Sequence, residues 1–138
     1  MSCPAKKAYR RLKDLRRLKK EYTAMSTTVE YLKVFNKQLE QLERKYPRTT
    51  REVRALVHHI MQGNRPGQRI PRIGYPVYKV RLPNRAARRG KSGGFRVIYY
   101  AQFSDRVTLL TIYSKTDESD ISLRELQELA READAALG

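Results

Sequence analysis

Lys79 and Arg81 stand two apart in VYKVRL, and Arg96 follows within FRVIYY. Residues two apart on a strand project to the same side, so Lys79 and Arg81 share one face while Tyr78, Val80 and Leu82 share the other. Arg96 alternates with Phe95 and Val97 in so apolar a run that burying its guanidinium is costly unless it meets an anion. The connection PNRAARRGKSGG supplies glycines for a bend, and it carries Arg85, Arg88, Arg89 and Lys91 to a place above the face formed by Lys79, Arg81 and Arg96. Together these residues make a cradle for phosphate, with the loop cations as its RNA-binding rim.

What such a cradle can do follows from what it lacks. Metal-dependent nucleases hold their ions with carboxylates or histidines, and from Val53 to Ser104 the chain has eleven Lys/Arg and no Asp or Glu. The expectation is therefore chemistry without metal or cofactor. RNA brings its own nucleophile in the 2′-hydroxyl, so a protein can cleave it by aligning the phosphate and stabilising the added negative charge with Lys and Arg. Tyr113 and Lys115, at the end of TIYSK, reach the same sheet edge; they could donate or shuttle a proton if the surrounding positive charge lowers their pKa values. A tyrosine at a strand end is equally an ordinary packing residue.

Other motifs carry less. His58 and His59 are adjacent on a predicted helix and diverge by about 100°, so they are expected as solvent or helix-interface residues, not as a metal pair. GKSGG lacks the first glycine of the nucleotide phosphate-loop spacing and is not followed by a helix. Tyr78, Phe95, Tyr99, Tyr100 and Tyr113 fall at strand positions, where core packing and base stacking are both open to them.

The remainder of the chain frames these residues. Its 138 residues suffice for one hydrophobic core, and a formal charge of +16 with a pI near 10.3 favours a polyanionic partner. Met1 to Ala24 carries nine basic residues against two acids, Met25 to Glu52 six against four, and Asp105 to Gly138 four against eight. The cationic middle is thus followed by an acidic tail. A single cysteine, Cys3, provides no disulfide framework and fits a reducing compartment. With no apolar run of membrane-spanning length, the expected location is cytoplasmic, with no membrane partner.

Residues 1–24 read as a basic amphipathic helix on Tyr9, Leu12, Leu15, Leu18 and Tyr22. Thr28 to Val34 reads as a strand. A helix capped by Asn36 and stopped by Pro47 follows, then a second helix capped by Thr49 or Thr50 and ended by Gly63. NRPGQRIPRIGYP reads as loop. VYKVRL, FRVIYYAQF and RVTLLTIYSK read as strands, the last two joined at Ser104-Asp105. Ser122 and Glu125 open a final helix on Leu123, Leu126, Leu129 and Ala133. The expected class is α+β: a small mixed or antiparallel four-stranded sheet packed with an N-terminal helical hairpin and a C-terminal helix. The basic extension 1–24 precedes a domain spanning 25–138.

From Met25 to about Leu129 the element order, together with VYKVRLPNRAARRGKSGGFRVIYY and LLTIYSKTDESDIS, resembles the RelE/ParE superfamily of bacterial toxins, above all its RelE and HigB branch. The resemblance implies a toxin that enters the ribosomal A site, cuts mRNA there without metal, and is silenced by a cognate antitoxin. Its partners would be that antitoxin, mRNA and the 70S ribosome with its rRNA. By the same resemblance Lys79 and Arg81 fall on the family's basic pair, Arg96 on its phosphate-contacting arginine, and Lys115 on a basic residue ending the last strand. Where the family places a tyrosine in the final segment and an arginine after that last basic residue, this chain has Ser122 and Thr116. Tyr113 is therefore a candidate drawn from the residues alone. Two rival readings remain: a ParE-like inhibitor of DNA gyrase, and a non-catalytic RNA-binding protein. Residues 1–24 lie outside the resemblance and could be an upstream extension of the reading frame, an rRNA-binding helix or a cover for the sheet.

Overall fold

The computed structural model describes residues 27–84, 94–115, 117 and 120–136; the helix expected over 1–24 lies outside them. Strand β1 (Thr28–Tyr31) runs directly into helix α1 (Lys33–Lys45), followed by α2 (Thr49–Met61), β2 (Gln68–Arg69), β3 (Val77–Leu82), β4 (Phe95–Phe103), β5 (Arg106–Ser114) and α3 (Leu123–Ala135). The strands form one sheet in the order β1-β5-β4-β3-β2. β1 pairs parallel with β5 and the other pairs are antiparallel. The class is α+β as expected, with a fifth strand. That strand is β2, two residues inside the segment expected as loop, and too short for a period-two pattern to announce it. Gly67 makes it possible: its φ is +91°, and a Cβ there would lie 2.3 Å from the Lys79 carbonyl oxygen.

Helix α1 starts earlier than the Asn36 cap implied. Leu32 is the N-cap and provides no side-chain cap bond, while Leu32 and Phe35 are both buried. Burying a phenylalanine, at roughly 1.5–3 kcal/mol, outweighs the roughly 1 kcal/mol of a polar cap. The strand consequently stops at Tyr31. At α2 the expected threonine cap is replaced by Glu43, whose carboxylate accepts the backbone N–H groups of Arg48 and Thr50. Those bonds hold the Glu43 pKa below its usual value. Gly63, at φ +97°, ends α2 as expected, with its N–H donated to Ile60. Ser122 caps α3 by accepting the Glu125 N–H.

Both faces of the sheet carry apolar packing. On one, the α1–α2 hairpin places Phe35, Val53, Leu56 and Ile60 against Val80, Leu82, Phe95, Val97, Tyr99, Leu109 and Ile112. On the other, α3 sets Leu126, Ala130 and Ala133 with Val77, Ile98, Tyr100 and Leu110. Tyr100 also donates to Asp134 at 2.9 Å and ties α3 to β4. Further along β3 and β4 on this second face come Arg81 and Arg96.

A bulge in β5 sets where its far end points. Ile98 pairs with Thr111 and Tyr99 with Leu109, leaving Leu110 extra. Leu109 and Ile112 consequently both face the hairpin, and Leu110 and Tyr113 both face the other way. Strict alternation from Leu109 would have turned Tyr113 into the hairpin core.

A candidate phosphate-binding site on the second sheet face

The ladder lines up three of the residues singled out in the sequence. Arg81 is paired with Arg96, and Arg96 with Tyr113, across β3, β4 and β5. Directly opposed residues on one face hold their Cβ atoms roughly 5 Å apart. Arg96 is 7 % exposed, and its Nη1 donates to the carbonyls of Gly94 at 3.2 Å and Phe95 at 3.5 Å. Among the described residues neither Arg96 nor the exposed Arg81 forms an ion pair with a carboxylate. A guanidinium has five donors, so this buried cation retains unused capacity toward an anion.

The lysines behave differently. Asp120, in the segment between β5 and α3, accepts the Tyr113 hydroxyl at 2.9 Å. It also lies 3.0 Å from Lys115 Nζ and 3.6 Å from Lys79 Nζ. Sequence reasoning missed this residue of the candidate site: the carboxylate absent from the cationic block arrives from the acidic tail. Hydrogen bonds from Lys115 and then Tyr113 hold its carboxyl down at about 2. Lys79, Arg81, Arg96, Tyr113 and Lys115 are thereby gathered on one face, whereas Arg85, Arg88, Arg89 and Lys91 lie outside the described residues.

The condition set for Tyr113 to carry a proton, a pKa lowered by positive charge, is not met: the pKa is pushed up to about 12, first by burial and then by its hydrogen bond to Asp120, with the Ile121 backbone N–H and Arg96 only partly opposing. Tyr113 is a neutral phenol at physiological pH. Tyr100 is likewise raised to about 12, by burial and then by Asp134. Folded-state values above the ordinary tyrosine pKa of about 10 mean that the protonated phenols stabilise the fold, fully below pH 10 and progressively less as pH rises toward 12. Thermal unfolding midpoints should accordingly fall steeply above pH 10. The Tyr100→Phe variant should show a shallower fall; the same slope as wild type would show that Tyr100 does not contribute.

Glycine is needed where the connection rejoins the sheet. A Cβ on Gly94 would lie 2.5 Å from the Leu82 carbonyl oxygen and 3.4 Å from Cγ of Arg81. The Gly94 carbonyl meanwhile accepts from both Arg96 and the Lys115 N–H, so one glycine fixes the approach of β3, β4 and the end of β5. Of the aromatics, Phe95, Tyr99, Tyr100 and Tyr113 are buried. Tyr78 stacks on Tyr99 at 5.3 Å, so the rings other than Tyr113 serve packing. His58 and His59 are exposed on α2, beside Gln62 and Asn64 respectively. Among the described residues no three His, Cys, Asp or Glu side chains are placed to hold a metal, and no helix is long and apolar enough to cross a membrane.

A helical hairpin backing a mixed sheet, with lysines and a tyrosine around one carboxylate and two arginines beside them on the other face, defines a small α+β protein with a cationic candidate site. The family model of the RelE toxin of the RelE/RelB toxin-antitoxin system matches residues 32–138, and the chain belongs to this family. It is a toxin of a toxin-antitoxin system, from a family whose members pair with an antitoxin and are generally endoribonucleases. No curated protein matches the chain.

Proposed function

We propose that the protein is a ribosome-dependent endoribonuclease that cuts mRNA in the A site by attack of the substrate's own 2′-hydroxyl. The observation that carries this reading is Arg96: a buried guanidinium with no carboxylate partner among the described residues, beside Arg81 and in line with Tyr113. A scissile phosphate against the two arginines would meet fixed positive charge where the pentacovalent transition state gains negative charge. The 2′-oxygen attacks phosphorus as the bond to the 5′-oxygen breaks, leaving a 2′,3′-cyclic phosphate and a 5′-hydroxyl. The 2′-hydroxyl gives its proton to solvent water and the leaving oxygen gains one from the Lys79 or Lys115 ammonium group, which solvent then reprotonates. A neutral Tyr113 orients the nucleophile through its oxygen and does not act as phenolate.

The test is primer extension on a reporter mRNA in a purified translation reaction, with a ribosome-free arm. New 5′ ends within A-site codons, absent without ribosomes, are the expected result. Intact mRNA with translation unimpaired would overturn the reading and send the protein to a gyrase supercoiling assay. Salt-sensitive RNA binding without any product would identify a non-catalytic binder.

A further inference from the structure

Asp120 is the only carboxylate among the described residues to meet the candidate site's cations, and it touches three groups brought from separate places. Lys79 comes from β3, while Tyr113 and Lys115 lie at and beyond the end of β5. β3 and β5 flank β4 and are roughly 10 Å apart across it, so one carboxylate reaches across the strand that carries Arg96. The positive charge of the face is thereby divided. The lysines share a counter-ion, and the arginines share none among the described residues. A phenol has a single hydrogen, and Tyr113's is committed to Asp120. Its oxygen takes the Ile121 backbone N–H and keeps one further lone pair with which to accept a hydrogen bond.

Resting on the nuclease reading above, we infer that Asp120 is a positioning residue: it acts through Tyr113, Lys79 and Lys115, turning the phenol oxygen toward the nucleophile and fixing both ammonium groups, while leaving Arg81 and Arg96 to the phosphate. The charged groups facing Tyr113 are Arg96 opposite it on β4 and Asp120 itself, with Lys79 and Lys115 held through that carboxylate. Asp120 does not bind RNA. Its negative charge opposes RNA binding, so positioning and affinity have opposite signs, and that opposition makes the inference testable.

The experiment compares wild type, Asp120→Asn and Asp120→Ala in three measurements. The first is the single-turnover cleavage rate on programmed ribosomes. The second is binding to ribosomes programmed with mRNA that is 2′-deoxy in the A-site codon, which offers no nucleophile. The third is the alkaline titration midpoint of Tyr113, followed by ¹³C NMR of labelled tyrosine. A misplacement of about 1 Å can cost on the order of a hundredfold, so cleavage should slow by roughly ten- to a hundredfold in Asp120→Ala and less in Asp120→Asn. Binding should be unchanged or tighter, and the Tyr113 midpoint should move down. Rate and binding falling together would make Asp120 merely structural and overturn the inference. Both rising would make it a latch that masks the site, which also overturns it. A Tyr113 midpoint that does not move in Asp120→Ala removes the geometric basis. Wild type that cuts nothing sinks the nuclease reading and the inference with it, whereas variants as fast as a cutting wild type sink the inference alone.

Discussion

Replacing Arg96 by methionine should remove cleavage while leaving the protein folded, and no less stable than wild type. Removing one preorganised donor to a developing oxyanion typically costs about a hundred- to a thousandfold in rate. On the proposed reading Arg96 is such a donor, since its neighbours among the described residues use Nη1 alone. Methionine retains length and an apolar stem, so the space between Arg81 and Tyr113 stays filled. The sign for stability is less obvious and more informative. A buried cation without a counter-ion is unfavourable, and a thioether in the same place beside Tyr113 is not. The variant should therefore unfold at the wild-type temperature or above it. Arg96→Lys, which preserves charge but not the planar fork, should fall between the two in rate. Single-turnover cleavage and thermal melts on the same samples decide the matter: full activity in a folded Arg96→Met places the phosphate elsewhere, and an unfolded variant makes the arginine structural.

The opening cluster was legible because strand alternation is a local rule. Lys79 and Arg81 share a face with Arg96 as their spacing required. The three central strands, the hairpin, the Gly63 stop and the Ser122 cap follow from equally local signals. Three features of the candidate site did not follow, each for a non-local reason. Asp120 reaches Lys79 across 41 positions of sequence, and nothing in DESDIS tells a site carboxylate from one in an acidic tail. The orientation of Tyr113 depends on the extra residue Leu110, and an apolar run such as RVTLL gives a bulge no signature of its own. The direction of the Tyr113 pKa could not be read because burial and Asp120 together outweigh the Ile121 N–H and Arg96, and only the folded arrangement brings them all to one hydroxyl.

The two faces of the sheet should prove separable, and Phe35→Ala is the substitution that tests this. Phe35 is fully buried in the first turn of α1, against the hairpin side of the sheet, with its ring 5.7 Å from Tyr31. Truncating a buried phenylalanine costs about 3–5 kcal/mol once the cavity is included. In a domain of roughly 100 residues, each kcal/mol lowers the unfolding midpoint by about 4 °C or more. The variant should thus melt far below wild type. Arg81, Arg96, Tyr113 and Asp120 belong to the other face, and their positions are set by the β3-β4-β5 ladder and by Gly94. At a temperature low enough for Phe35→Ala to be folded, its single-turnover cleavage rate should match wild type within about twofold, the converse of Arg96→Met. If cleavage is lost while circular dichroism shows native structure, the hairpin face takes part in substrate recognition and the site is larger than the row of cations on the second face. Equal rates with unequal melting points would show that the sheet keeps its stability on one side and its chemistry on the other.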